Sequence, residues 1–370
     1  MKDILYIGPY RESSPIGNAS RKYIQSLDLT TNNIAIRPFY NLLKAYPESR
    51  INSSLLALEN KSIDKYDVVI QHAYPHQLCY NSKFKQNIAI LHPECFNYGL
   101  DYLNYIDQMD TIIVPSEFSR RSLVGCGIDQ NKVYVVPVPL DTIEIDSFKS
   151  ALPEKKELKY NKYTFYVMDD FLIKSNIEIV ILSFLILSSK YKSIELIIKR
   201  ERSHNFSDET IKEIINNIYS MFPRENNESM PLIISGDTEY SKILDIHNNA
   251  NCLIDISSGK SFGYSVLEAM TFNNNIICLN DTAQSELIED GCGFMVDSEN
   301  TNCLDDNKMF FMYNTVRQVW SKPILNDLIN TMEKVILESD VNKKNRIKVQ
   351  DNKVKLFSTK NISEVLEKVI

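Results

Sequence analysis

Within residues 251–297 the chain places a short polar loop with one glycine, Ser261-Phe262-Gly263-Tyr264-Ser265, ahead of Val266-Leu267-Glu268-Ala269-Met270, and then an apolar run at 276–279. The apolar positions after Gly263 fall at helical spacing, so the loop feeds a helix N-terminus. Unpaired backbone N–H groups and the positive end of the helix dipole make such an end a receptor for a phosphate or another anion. Glu268, on that same helix, sets an acid beside the anion site. Lys260 stands directly before the loop.

A loop of this kind works only at the edge of a sheet that fixes it. Apolar runs bounded by turn residues recur along the chain with helical segments between them, the pattern of an α/β protein with parallel sheets. Strands are predicted over 4–8, 34–38, 68–71, 88–91, 111–114 and 133–136. Ala19, Tyr23, Ile24 and Leu27 share one helical face, and Phe118, Leu123 and Val124 lie on a helix that Ser116 is placed to cap. Over 137–162 the alternation breaks into Pro-Val-Pro-Leu-Asp and the charged run that starts at Pro153, which reads as a linker. A second alternation follows, with strands at 163–167, 194–199, 232–235, 252–256 and 276–279 and a long helix at about 177–190. The C-terminal part carries a helix near 323–337, a basic stretch over 343–355 that reads as a solvated face, and a last helix ending at Ile370.

Length and composition agree with this. A chain of 370 residues exceeds the size at which one core keeps growing, so two domains are expected. With 44% hydrophobic and 24% charged residues, 10 Gly and 13 Pro, fibrous and disordered classes are excluded. The net charge of -7 argues against non-specific binding to nucleic acid, and nothing supports a peripheral membrane contact. The seven cysteines are scattered, with no CxxC pair, and read as free thiols in a reducing compartment. The apolar run at the start is too short for a secretory signal, so a cytoplasmic location is expected.

Three segments carry a resemblance that spans nearly the whole chain. They are the 114–123 stretch Val-Pro-Ser-Glu-Phe-Ser-Arg-Arg-Ser-Leu with the 132–141 stretch ending Val-Pro-Val-Pro-Leu-Asp141; the 166–184 region; and the 251–297 stretch. Together with a helix expected to begin at Trp320-Ser321-Lys322-Pro323, they resemble the GT-B glycosyltransferases of the large retaining family 4 type. The resemblance implies an α/β protein of two doubly wound Rossmann-like domains facing a central cleft. Residues 1–150 form the acceptor-side domain and 151–345 the nucleotide-sugar domain; residues 346–370 form a C-terminal helix packing back toward the first.

The resemblance also implies an activity, retaining transfer of a sugar from a nucleoside-diphosphate sugar, UDP or GDP, to an acceptor hydroxyl, with no metal and no further cofactor. The acceptor is left open among glycan, lipid-linked and protein hydroxyls. A nucleobase in DNA would call for a basic face. In the family a pair of glutamates eight residues apart brackets the glycine loop, the second holding the nucleotide ribose; Glu268 takes that place, and Lys260 stands where the first is expected. Ser261, Phe262, Gly263, Tyr264 and Ser265 are then the diphosphate loop. The family's Arg and Lys for the diphosphate correspond to Met168-Asp169-Asp170 and to Lys174, so Lys260 is a candidate replacement for the missing charge. Gly17 and Asn18 match a donor-facing loop after strand one, and His92 a histidine near the donor sugar, where a neutral imidazole can donate or accept. Plainer readings stand beside these: Lys174 and Glu268 as surface charges, His92 and His72 as satisfied strand-end histidines, Gly17 as an ordinary strand-to-helix turn. A scaffold that has lost catalysis and serves as an accessory subunit is the alternative to an enzyme.

Overall fold

The computed structural model of the protein describes residues 1–40, 53–152, 162–200, 207–221, 230–236, 238–288, 291–303 and 318–370. The chain divides into two compact units. The first holds Met1–Thr142, Thr315–Gln318 and Lys355–Ile370; the second holds Ile143–Asn314 and Val319–Val354.

In the first unit, the strands are β1 (Asp3–Gly8), β2 (Asn33–Pro38), β3 (Val68–His72), β4 (Gln86–Ile90), β5 (Thr111–Val114) and β6 (Val133–Val135). Among the described residues they form one parallel sheet in the order β2-β1-β3-β4-β5-β6. Strands buried on both faces read as near-continuous apolar runs, which is why they were visible without alternation. Between them lie the helices α1 (Pro15–Asp28), α2 (Ser53–Asn60), α3 (Leu103–Asp107) and α4 (Glu117–Gly125). Ser14 caps α1 by accepting from the Gly17 N–H, with Pro15 in the first turn; Ser116 caps α4 by accepting from the Ser119 N–H.

The second unit opens with α5 (Thr142–Ala151), where a linker was expected. No Gly or Pro interrupts that segment, Glu144 sits in its first turn and Lys149 in its last, and Ile145 is buried, so a helix wins over an irregular connection. The charged run from Pro153 lies outside the described residues.

The second unit's sheet has β7 (Tyr163–Met168), β8 (Ile194–Arg200), β9 (Leu232–Ser235), β10 (Cys252–Asp255), β11 (Asn275–Leu279) and β12 (Phe294–Val296), parallel in the order β12-β11-β10-β7-β8-β9. A separate antiparallel pair joins β13 (Ser298–Asn302) to β14 (Val319–Pro323). The helix expected to begin at Trp320 is therefore a strand there. Pro323 biases Lys322 to an extended backbone, and the ladder to β13 takes up the segment.

The helices of this unit are α6 (Ile177–Lys190), α7 (Asp208–Ser220), α8 (Tyr240–Asn249), α9 (Tyr264–Thr271), α10 (Leu325–Ile336) and α11 (Asp340–Leu356). Phe165, Phe184, Ile198, Ile254, Ile277 and Met332 belong to one core shared by the sheet and the helices against it. The basic stretch lies on α11, but Arg346 is not solvated: it is buried, paired with Glu338, and bonded to Asn275. A last helix, α12 (Thr359–Val369), completes the first unit by packing on α1, with Ile362 and Leu366 buried. Ser26 Oγ donates to the Thr359 carbonyl at 3.0 Å, and the Thr31 N–H to Glu367 Oε1 at 3.2 Å.

Candidate functional site

In open parallel sheets the ligand crevice lies outside the carboxyl ends of the strands where the strand order reverses. In the second unit that point is between β7 and β10, which are paired while their crossovers run in opposite directions. The residues leaving those strands are Asp169 and Asp255. Lys260 joins them, its Nζ 2.8 Å from Asp255 Oδ1 and 3.1 Å from Asp169 Oδ2. Asp169 also accepts from Ser175 Oγ at 2.9 Å and Ser257 Oγ at 2.5 Å, and Asp255 accepts from Ser265 Oγ at 3.2 Å. Burial pushes the Asp169 carboxyl up, but Lys260, Ser257 and Lys174 together hold it below the usual carboxylate range. Burial likewise opposes the Lys260 charge, and the Asp169 and Asp255 carboxylates more than offset it.

Lys174 belongs to a turn clipped onto this cluster. Asn176 takes a left-handed backbone, φ 53°, which lets its side-chain amide donate to the Ile256 carbonyl at 2.9 Å and to Ser258 Oγ at 2.8 Å. The Ser258 N–H donates back to the Lys174 carbonyl at 2.7 Å. The neighbouring Asp170 pairs with Arg200, Oδ1 to Nε 3.3 Å, and Arg200, wholly buried, also reaches Asp208 at 3.3 Å. The acids that stand where the family has an arginine thus have internal cations. Lys260, the candidate replacement for the missing charge, is held between two of the unit's own carboxylates.

The 261–265 loop enters α9 at Gly263, and no side chain caps that helix. The Val266 and Leu267 amides bond to the Gly263 carbonyl at 3.1 and 3.2 Å. Gly263 is needed for close packing: a Cβ there would stand 2.9 Å from both Gln284 Cβ and Leu287 Cδ1. One turn on from the loop, Glu268 is buried, 4% exposed, not a surface acid. Its Oε1 accepts from the Tyr240 hydroxyl at 2.5 Å, and Oε2 lies 3.5 Å from His247 Nε2.

In the first unit the strand order reverses between β1 and β3. Here the polar groups are neutral. Tyr6 Oη meets Ser20 Oγ at 2.9 Å and His72 Nδ1 at 2.8 Å, and His72 Nε2 meets His92 Nε2 at 2.8 Å. The imidazoles lie 4.9 Å apart at 19°. Burial pushes His72 well below the ordinary histidine range, with His92 adding to it, and pushes His92 down to about 4 against the opposing pull of Glu94. Both rings are neutral at neutral pH, and one proton lies between their facing nitrogens. His72 is fully buried, as a satisfied strand-end histidine; His92 is half-buried beyond it. Gly17 and Asn18 use their amides inside α1, on Ser14 Oγ at 3.1 Å and the Ser14 carbonyl at 2.8 Å. A Cβ at Gly17 would stand 2.4 Å from the Glu12 carbonyl oxygen, so close packing of α1 on the preceding turn requires the glycine.

The second unit therefore brings together Lys174, Lys260, Ser261 to Ser265 and Glu268, and the first unit joins His92 to His72. Sequence reasoning missed Asp255, Tyr166, Tyr240, His247 and Asn274. Asp255 left a trace, an acid closing a buried apolar strand. Among the described residues, no group of three or more His, Cys, Asp or Glu is arranged to hold a metal, no disulfide forms, and no helix is long and apolar enough to cross a membrane.

No protein-family model matches the sequence, and neither does any curated protein. Solved structures do match. The N-terminal domain of Candida albicans trehalose-6-phosphate phosphatase superposes with a TM-score of 0.69 at 14% identity, over 99% of this chain and 96% of that one. The E. coli trehalose-6-phosphate protein bound with UDP-2-fluoro glucose gives 0.68 at 10% identity, over 99% and 98%. A UDP-forming trehalose-phosphate synthase from Burkholderia xenovorans gives 0.67 at 10%, over 99% and 98%. At such identities the likeness is one of fold, and the fold of this chain is GT-B, built from two doubly wound Rossmann-like domains.

Proposed function

We propose that the protein is a glycosyltransferase that moves a sugar from a nucleoside-diphosphate sugar to an acceptor hydroxyl with retention at the anomeric carbon. One observation carries the reading: at the β7/β10 switch point the N-terminus of α9, the Lys174 turn and a buried carboxylate one turn along the same helix converge. That is the donor set a nucleoside diphosphate needs. The amides of residues 261–265 and Lys174 hold the diphosphate, and Glu268 accepts from the ribose hydroxyls. The acceptor oxygen bonds to the anomeric carbon, the bond from that carbon to the phosphate oxygen breaks, and the acceptor proton passes to the departing phosphate. A protein bound with UDP-2-fluoro glucose shares the fold over 99% of this chain, which favours UDP as the first nucleotide to try. Free thiols throughout suit a reducing compartment, and we place the protein in the cytoplasm.

A second reading, a GT-B scaffold without catalysis that binds within a glycosyltransferase complex, is favoured by Lys260. Its ammonium is already matched by Asp169 and Asp255, so it brings no uncompensated charge to a leaving diphosphate. Titration calorimetry with UDP- and GDP-sugars, followed by a donor-hydrolysis assay, separates the two. Binding with slow donor hydrolysis supports the enzyme; tight binding with no turnover, with or without acceptors, leaves the scaffold; binding of neither nucleotide sugar overturns both.

A further inference from the structure

Beside Glu268 lies a hydrogen-bonded network whose proton positions follow from its donors. The Asn274 side-chain nitrogen contacts the His247 carbonyl oxygen at 2.8 Å and Tyr166 Oη at 2.9 Å. A carbonyl only accepts, so the NH2 group of Asn274 faces it, and the same group donates to Tyr166. The single Tyr166 proton is then left for His247 Nδ1, 2.7 Å away. Nδ1 therefore carries no proton, and the imidazole is the neutral Nε2–H tautomer. Nε2 lies 3.5 Å from Glu268 Oε2 and makes no hydrogen bond among the described residues, although His247 is wholly buried. Phe272 lies parallel to the imidazole, centroids 5.8 Å apart and planes at 8°, and the Tyr166 bond at Nδ1 holds the other side of the ring. A buried donor left a long step from one carboxylate oxygen is an arrangement set for that oxygen.

We propose that Asn274, Tyr166 and His247 form a buried relay that presents one N–H to Glu268 and fixes the carboxylate's orientation for a ribose, with His247 as the positioning residue. The inference rests on the ribose role given to Glu268 above. In the free protein Tyr240 holds Oε1. A ribose hydroxyl that takes Oε1 from Tyr240 lets the carboxylate settle onto His247 Nε2, closing the long contact; apo-state hydrogen bonds of this kind tighten on binding.

The test combines a spectroscopic reading of the ring with binding of plain UDP and GDP. Nitrogen NMR of 15N-histidine-labelled protein should place His247 in the Nε2–H tautomer at neutral pH. Tyr166→Phe should scramble the tautomer and weaken nucleotide binding about tenfold, the effect of losing one hydrogen bond to a charged group. His247→Phe should weaken it similarly, whereas His247→Gln, which keeps an N–H donor, should stay within about threefold of wild type. An Nδ1–H or doubly protonated ring in the wild type overturns the proposal. So does wild-type binding that Tyr166→Phe and His247→Phe leave unchanged. If the wild type binds neither nucleotide, the glycosyltransferase reading falls and the positioning role with it, while the NMR signal still reports whether the relay forms.

Discussion

The two units carry their polar groups at the same topological place and by opposite means. At the β1/β3 switch point, Ser20, Tyr6, His72 and His92 are joined by hydrogen bonds between neutral groups. At the β7/β10 switch point, Lys260, Asp169 and Asp255 are joined by charge. The sheet supplies a crevice in both cases, and side chains alone decide whether that crevice is a dry neutral surface or an ionic knot. The two also fail differently. A neutral network loses about 1 kcal/mol per broken bond, whereas removing one partner of a buried ion pair strands a charge at several times that cost.

Lys260→Met is the strongest way to break the comparison. It leaves Asp169 and Asp255 without their shared cation, and a loss of about 3–5 kcal/mol is expected. Trp320, the one tryptophan in the chain, is buried in β14, so its fluorescence during urea unfolding reports on the second unit. Exchanging the charges, Lys260→Asp with Asp169→Lys, should recover at least half of the loss; a loss below about 1 kcal/mol for Lys260→Met would mean the knot is no more costly to cut than the neutral chain.

The first unit should show the larger response to acid. His72 and His92 have folded values depressed below an ordinary 6.5, so the unfolded chain takes up protons first. Their stabilisation is complete above about pH 6.5 and is lost as pH falls toward the value near 4 of His92, by up to about 1.4 kcal/mol per pH unit for each ring. Amide protection in β3 and β4, taken relative to the intrinsic exchange rate at each pH, should fall over that window while Trp320 fluorescence stays constant. His72→Phe should flatten the dependence.

Gly17→Ala and Gly263→Ala sharpen the contrast between the loops. Both force a methyl into occupied space, but Gly17 faces the Glu12 carbonyl at 2.4 Å and Gly263 faces mostly side-chain atoms at 2.9 Å. Gly17→Ala should cost more, both within about 1–3 kcal/mol, and thermal melts of the two variants check the order. The smallest change is Tyr6→Phe, which removes the hydroxyl between Ser20 and His72. A loss of about 1 kcal/mol, with the acid dependence kept, is expected from the same denaturation series.

Much of the fold was legible because strands buried on both faces are apolar throughout, and each expected strand forms with its ends moved by no more than two residues. Helix α5 was hidden because its neighbours, the prolines before it and the charged run after it, speak for a linker. Strand β14 was hidden because its partner β13, Ser-Glu-Asn-Thr-Asn, is polar throughout and shows no strand pattern of its own. The site was legible only where its chemistry is local. Residues 261–268 display an anion loop and an acid in one stretch, whereas the ion pairs of Lys260 depend on β7 and β10 lying side by side. Nothing in the spacing of Tyr166, His247 and Asn274 marks them as partners; β7, α8 and the turn before β11 bring them together.

Helix α12 has a consequence for how the protein is made. It covers α1, yet residues 355–370 leave the ribosome only after the whole of the second unit. The six strands of the first unit emerge early and wait, with the α1 surface that Ile362 and Leu366 will cover still open, for roughly 10 to 40 s at ordinary elongation rates. A fragment ending at residue 354 should therefore hold all of the second unit and a first unit whose α1 surface is still open.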